Sequence, residues 1–193
     1  MIASVRPGGA FATLLRGTAF LGRHPAAIGT ETPVAARRLR AKVLGNCLRE
    51  LDRFLNLLID EVAAEACPGR IEPIGFAGQR NTANKLRTLY AILGAASPDH
   101  HRLRALGRSR DCLFHCGGVA RRGDRHGGTR MTAGWPPSAG LSDAPLMSVA
   151  LGDTLVVTPV DLRRVCDFYE EIAAGLVALN PRSAEAPAAI ATA

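Results

Sequence analysis

Leu44, Leu48, Leu51, Leu55, Leu58 and Val62 recur at alternating four- and three-residue steps between Pro33 and Ala66. A strand needs a period of two, so this spacing selects a helix, and it repeats long enough to form the seam of a bundle. Thr32 is placed to cap that helix, Pro33 suits its first turn, and Pro68-Gly69 ends it. The chain must therefore supply further helices with matching apolar faces.

Three more segments do so. Leu86, Leu89, Tyr90 and Leu93 share one face of a helix starting at Asn81 or Thr82, with Gly94 at its C-cap. Ser97-Pro98-Asp99 opens another, which carries Leu103, Leu106, Leu113 and Phe114 and stops at Gly117-Gly118. Thr158 caps the last one, with Pro159 in its first turn and Leu162, Val165, Tyr169, Ile172, Leu176 and Leu179 along its stripe. Before it, Leu146–Leu151 and Thr154–Thr158 flank Gly152-Asp153, which reads as a hairpin turn. The expected fold is all-α, an antiparallel helical bundle of four to five helices with a small β-hairpin insertion before the last helix. The expected layout is a flexible or weakly structured leader over 1–32, the bundle over 33–180 and a disordered tail over 181–193. Within the leader, Phe11 to Leu21 reads as a short helix. Within the bundle, 119–145 is a Gly/Arg-rich excursion and 146–158 the hairpin.

At 193 residues and 47% hydrophobic, the chain has the size and apolar content for one core, built from aliphatics because aromatics reach only 5%. Five cysteines form no secreted disulfide pattern, so a reducing cytoplasm is expected. No apolar run approaches the roughly 20 residues of a membrane span, and no membrane association is expected. The net charge of +7 is carried by arginine, with Lys42 and Lys85 the only lysines. Such a balance suits a polyanionic partner but does not by itself select one.

The chemistry concentrates in "RSRDCLFHCGG", Arg108 to Gly118. On a helical wheel Arg110 falls inside the apolar sector of Leu103, Leu106, Leu113 and Phe114. An unpaired guanidinium there would cost several kcal/mol, so Arg110 must meet an acid, a subunit interface or a bound anion. Asp111 and His115 stand i, i+4 on a neighbouring face, where the carboxylate can orient the imidazole. Metal-free RNA cleavage needs an imidazole to move a proton and a cation for the phosphoryl charge. His100, His101, His115 and His126 all lie between residues 100 and 126, among Arg104, Arg108, Arg121 and Arg122. That basic collar fits a phosphodiester.

"RDCLFH", Arg110 to His115, resembles the Arg-x4-His signature of HEPN domains, a superfamily of all-α bundles that are often homodimeric. Many of its members are metal-independent ribonucleases of toxin–antitoxin and defence systems. The resemblance implies catalytic roles for Arg110 and His115, with Asp111 at the polar position after the arginine, and two such pairs facing one another across a homodimer. It implies RNA as substrate, no cofactor and no metal, and an antitoxin or nucleotidyltransferase as possible partner. Arg104, Arg108, Arg121 and Arg122 are the expected nucleic-acid contacts. A catalytically inactive bundle that binds nucleic acid or protein is the alternative. Cys112, His115, Cys116 and His126 are metal-ligand types, but their spacing matches no zinc pattern, and Cys112 and Cys116 read as core residues. Trp135 reads as an anchor for the excursion.

Overall fold

A computed structural model describes residues 9–23, 33–69, 76, 78–97, 100–137 and 145–179. Among these, the chain forms an all-α bundle of five helices with a small antiparallel β element before the last helix. The helices are α1 (Gly9–Arg23), α2 (Val34–Ala66), α3 (Thr82–Ile92), α4 (His100–Cys116) and α5 (Pro159–Ala178), and the strands are β1 (Arg130–Thr132) and β2 (Ser148–Ala150). Thr32, the Pro98-Asp99 capping pair and the 181–193 tail lie outside the described residues.

All six residues of the α2 seam are buried. Each such aliphatic side chain contributes roughly 1.5–3 kcal/mol by leaving water. Thr158 and Asp161 form a reciprocal capping box at the start of α5. Asn81 caps α3 by accepting from Asn84 N at 2.9 Å, and Gly94, at φ +69°, turns the chain away from its end.

The N-terminal segment departs from the expected leader. Residues 9–23 form α1, whose Ala10, Leu14, Thr18 and Leu21 are buried at helical spacing. Gly17 lets α1 approach α2 so closely that a Cβ there would stand 2.8 Å from Leu51. Thr18 Oγ1 donates to Glu170 of α5 at 2.5 Å. A short amphipathic stretch is marginal alone, and here two neighbouring helices supply the surface it needs.

The β pairing also differs from the expected hairpin. Ser148–Ala150 pairs with Arg130–Thr132 of the excursion, Met131 opposite Val149, both buried. Gly152, at φ +91°, does turn the chain, but residues 152–155 then bond residues 118–120. Leu155 N donates to Gly118 O at 2.7 Å and Ala120 N to Asp153 O at 2.9 Å. The two positive-φ glycines Gly117 and Gly118 aim the chain leaving α4 into that position, so a long-range pairing replaces the local one.

The described part of the excursion is bound to α4. Trp135 is buried, as an anchor should be. Gly134 leaves no room for a Cβ beside Leu106. Arg102 stacks over Phe168 at 4.1 Å and donates to Gly134 O and Arg164 O. Asp124 accepts from both Thr132 N and Thr132 Oγ1, and Arg108 Nε lies 2.8 Å from its Oδ1.

Candidate functional site

Helices α2 and α4 run antiparallel and in close contact. Gly45 of α2 faces the backbone of Phe114, Ala41 faces Gly118 and Asp52 faces Arg110. Leu103, Leu106, Ser109, Cys112 and Leu113 turn inward. Arg110 therefore emerges beside α2 at the edge of the core, with 26% of its side chain exposed.

Its partner is an acid. Arg110 Nη1 lies 2.7 Å from Asp52 Oδ2, and Nε and Nη2 each lie 3.0 Å from Asp111 Oδ1. Asp52 is 16% exposed and Asp111 58%. The inner carboxylate thus fixes the guanidinium, while the outer one is open to solvent and to exchange. Burial pushes the Asp52 carboxyl up, against the pull of Arg110 and Thr82. The polar chain continues along α2. Asn56 donates to Thr82, and the wholly buried Lys85 donates to Asn56 at 2.9 Å and Asp60 at 2.6 Å.

Arg110→Ala would leave the mostly buried Asp52 carboxylate without its cation, at a cost of about 3 kcal/mol at neutral pH, the lower end for a buried pair because both side chains keep some solvent contact. Its carboxyl would then rise further. A folded-state value above the unfolded one means the native state holds more protons, so stability falls as pH rises through that window. The variant should lose stability more steeply than the parent from about pH 4 upward. Urea titrations at pH 5 and pH 8 check this, and Arg110→Met with Asp52→Leu should recover most of the loss.

Arg110 borders a cleft of about 380 Å3 between α3 and α4, where Arg80, Arg104, Arg108 and Arg110 meet Asp52, Asp111 and Asp124. Bonds from Thr132 and the charge of Arg108 hold the Asp124 carboxyl below its ordinary value in spite of burial. Arg104 and Arg108 thus share Arg110's cleft. Arg121 and Arg122 do not. They line a separate hollow of about 640 Å3 in the 121–129 loop, with Arg125 and His126.

His115 is exposed in the last turn of α4, edge-on to the Phe114 ring at 4.8 Å. It lies outside the Arg110 cleft, because five residues place it about 140° around the helix. Among the described residues Asp111 bonds Arg110 and makes no hydrogen bond to His115. Around the Phe114 ring stand Lys42 Nζ at 6.0 Å and Arg49 Cζ at 5.8 Å, both from α2.

All five cysteines are free thiols. Burial pushes Cys112 up to about 12, which suits a core residue and not a nucleophile. No cluster of three His, Cys, Asp or Glu side chains suited to a metal ion occurs among the described residues. No helix among them is long and apolar enough to cross a membrane.

Sequence reasoning missed Asp52, Asn56, Asp60 and Lys85. Their signal was present: the three α2 residues repeat at i, i+4, i+8 beside the leucine seam, and Lys85 is one of two lysines in an arginine-rich chain. No family model, no curated protein and no solved structure matches this chain.

Proposed function

We propose that the protein is a metal-independent endoribonuclease of HEPN type, active as a homodimer. The observation that carries this reading is Arg110: a guanidinium clamped at 2.7 Å by a mostly buried carboxylate, at the rim of a four-arginine cleft, one helical segment before an exposed histidine. A rigid, partly desolvated cation of this kind suits the charge that builds on phosphoryl oxygens. In that reaction His115 takes the proton of the ribose 2′-hydroxyl. The O2′–P bond forms, the P–O5′ bond breaks, and the 5′ oxygen gains a proton from water or from a second, protonated histidine. The products are a 2′,3′-cyclic phosphate and a 5′-hydroxyl. Asp111 would position Arg110, since that is the residue it bonds.

Because Arg110 and His115 do not converge within one chain, a second copy would complete the site. Leu39 and Val43 leave an apolar stretch exposed on the same half of α2, at 66% and 49%, which supports such a contact. A toxin or defence effector held by an antitoxin or a nucleotidyltransferase is the biological setting that goes with this reading, in the cytoplasm. The second reading is a non-catalytic bundle that binds nucleic acid or protein. The double engagement of Arg110 by carboxylates, with His115 outside its cleft, favours it.

Purified protein incubated with single-stranded RNA in excess chelator tests the choice. Fragments ending in a cyclic phosphate are expected. Intact RNA after prolonged incubation at micromolar protein would overturn the enzymatic reading.

A further inference from the structure

We infer that Arg38, Lys42 and Arg49 of α2, with Phe114 of α4 among them, form a binding strip that leads a single-stranded RNA to His115. This rests on the ribonuclease reading above for its end point and on the surface itself for its ligand.

The strip exists because of two glycines. Gly45 brings the α4 backbone against α2, so Phe114 surfaces beside α2 instead of pointing into a wider groove. Gly117, at φ +60°, ends α4 with the Arg38 stem packed on it, where a Cβ would meet Cγ at 3.1 Å. Phe114 is therefore held between Lys42 and Arg49 on one side and His115 on the other. All three cations are exposed, and none meets a carboxylate among the described residues. The acids close by are already engaged: Glu50 with Arg53, and Asp111 with Arg110.

Arg38 to Arg49 spans eleven residues, about 16 Å along the helix, enough for a short run of phosphates. Cations that track a backbone beside an aromatic ring are the recurring solution for single strands, since every base has a face to stack. A duplex would hide its bases from Phe114. An acidic protein segment would use the cations but gain less from the ring.

The test measures binding of a fluorescent single-stranded RNA 12-mer by anisotropy in the His115→Ala protein, so that cleavage does not consume the probe. Combined Arg38→Gln, Lys42→Gln and Arg49→Gln should weaken binding at least tenfold. It should also lower the log–log salt slope by about 2, because each lost phosphate contact on a single strand removes about 0.7. Phe114→Leu should weaken binding roughly tenfold with the slope unchanged. A control lacking the same charge elsewhere, Arg16→Gln, Arg23→Gln and Arg163→Gln, should change affinity less than threefold. Equal loss in that control, an unchanged slope in the strip variant, or equal displacement of the RNA by a polyglutamate peptide would overturn the strip. If the parent protein binds RNA through this strip but never cleaves it, the ribonuclease reading fails and the strip stands. If it cleaves RNA and the strip variants keep the parental KM, the strip fails and the ribonuclease reading stands.

Discussion

His115→Ala should abolish RNA cleavage, with a loss of about 10²–10⁴ in kcat, the usual worth of a positioned proton-transfer group. The fold should not notice. His115 is exposed, its one ring contact is an edge against Phe114, and surface changes of that kind stay within about 0.5 kcal/mol. This separates the two members of the candidate pair. Arg110 cannot be removed without disturbing Asp52, so lost activity in an Arg110 variant mixes chemistry with stability. His115 carries no such ambiguity. A variant that melts like the parent and still cleaves within threefold of its rate would show that the imidazole has no part in the reaction.

A clear loss of fold stability is also expected from a single methyl group. A Cβ at Gly45 would stand 2.6 Å from Phe114 N and 2.9 Å from its Cα. The atoms in the way are hydrogen-bonded helix backbone and not the far end of a flexible side chain, so Gly45→Ala must push α2 and the last turn of α4 apart, beside the seam that holds Asp52 against Arg110. Overpacking of this kind costs about 1–3 kcal/mol, sometimes more. It must also outweigh the roughly 1 kcal/mol that alanine gains over glycine in a helix interior. At this chain length each kcal/mol moves Tm by about 2–4 °C, so a fall of several degrees is expected. Gly107→Ala in α4 is the matched control. Nothing lies within 4 Å of its Cβ, and it should hold Tm or raise it. The two substitutions are chemically identical and should have opposite signs. Differential scanning calorimetry on both decides it, and a neutral Gly45→Ala would mean that the helices are not in the contact described.

Much of the fold was legible because its signals are local. The α2 seam, the Thr158–Asp161 capping box and the Gly94 terminus each depend on residues within a turn or two. What was missed depends on distant partners. The spacing in Phe11 to Leu21 announces a helix, but only the groove between α2 and α5 makes it a fixed element of the core. The turn at Gly152 was visible, whereas its true neighbours, residues 118–120 and Arg130–Thr132, lie far back in the chain.

The site divides the same way. Placing Arg110 on a helical wheel was enough to require an acid, a subunit interface or a bound anion, but it could not choose among them, because Asp52 is 58 residues away. The i, i+4 spacing suggested that Asp111 would serve His115. A guanidinium is adjacent in sequence and donates to the carboxylate from two nitrogens, and it wins. Lys42, Arg49 and Phe114 come together only when Gly45 brings two helices into contact, which no single-helix pattern encodes.

Lys85 is wholly sequestered, with its ammonium between Asn56 and Asp60, whereas Lys42 stands in solvent at the other half of α2. These are the only two lysines in the sequence. The molecule thus carries a built-in pair of chemical reporters: an acylating reagent meets one amine at once and the other only when α3 comes away from α2. The interval between the two modifications is a clock for the opening of that helix pair, read by mass spectrometry without any engineered label.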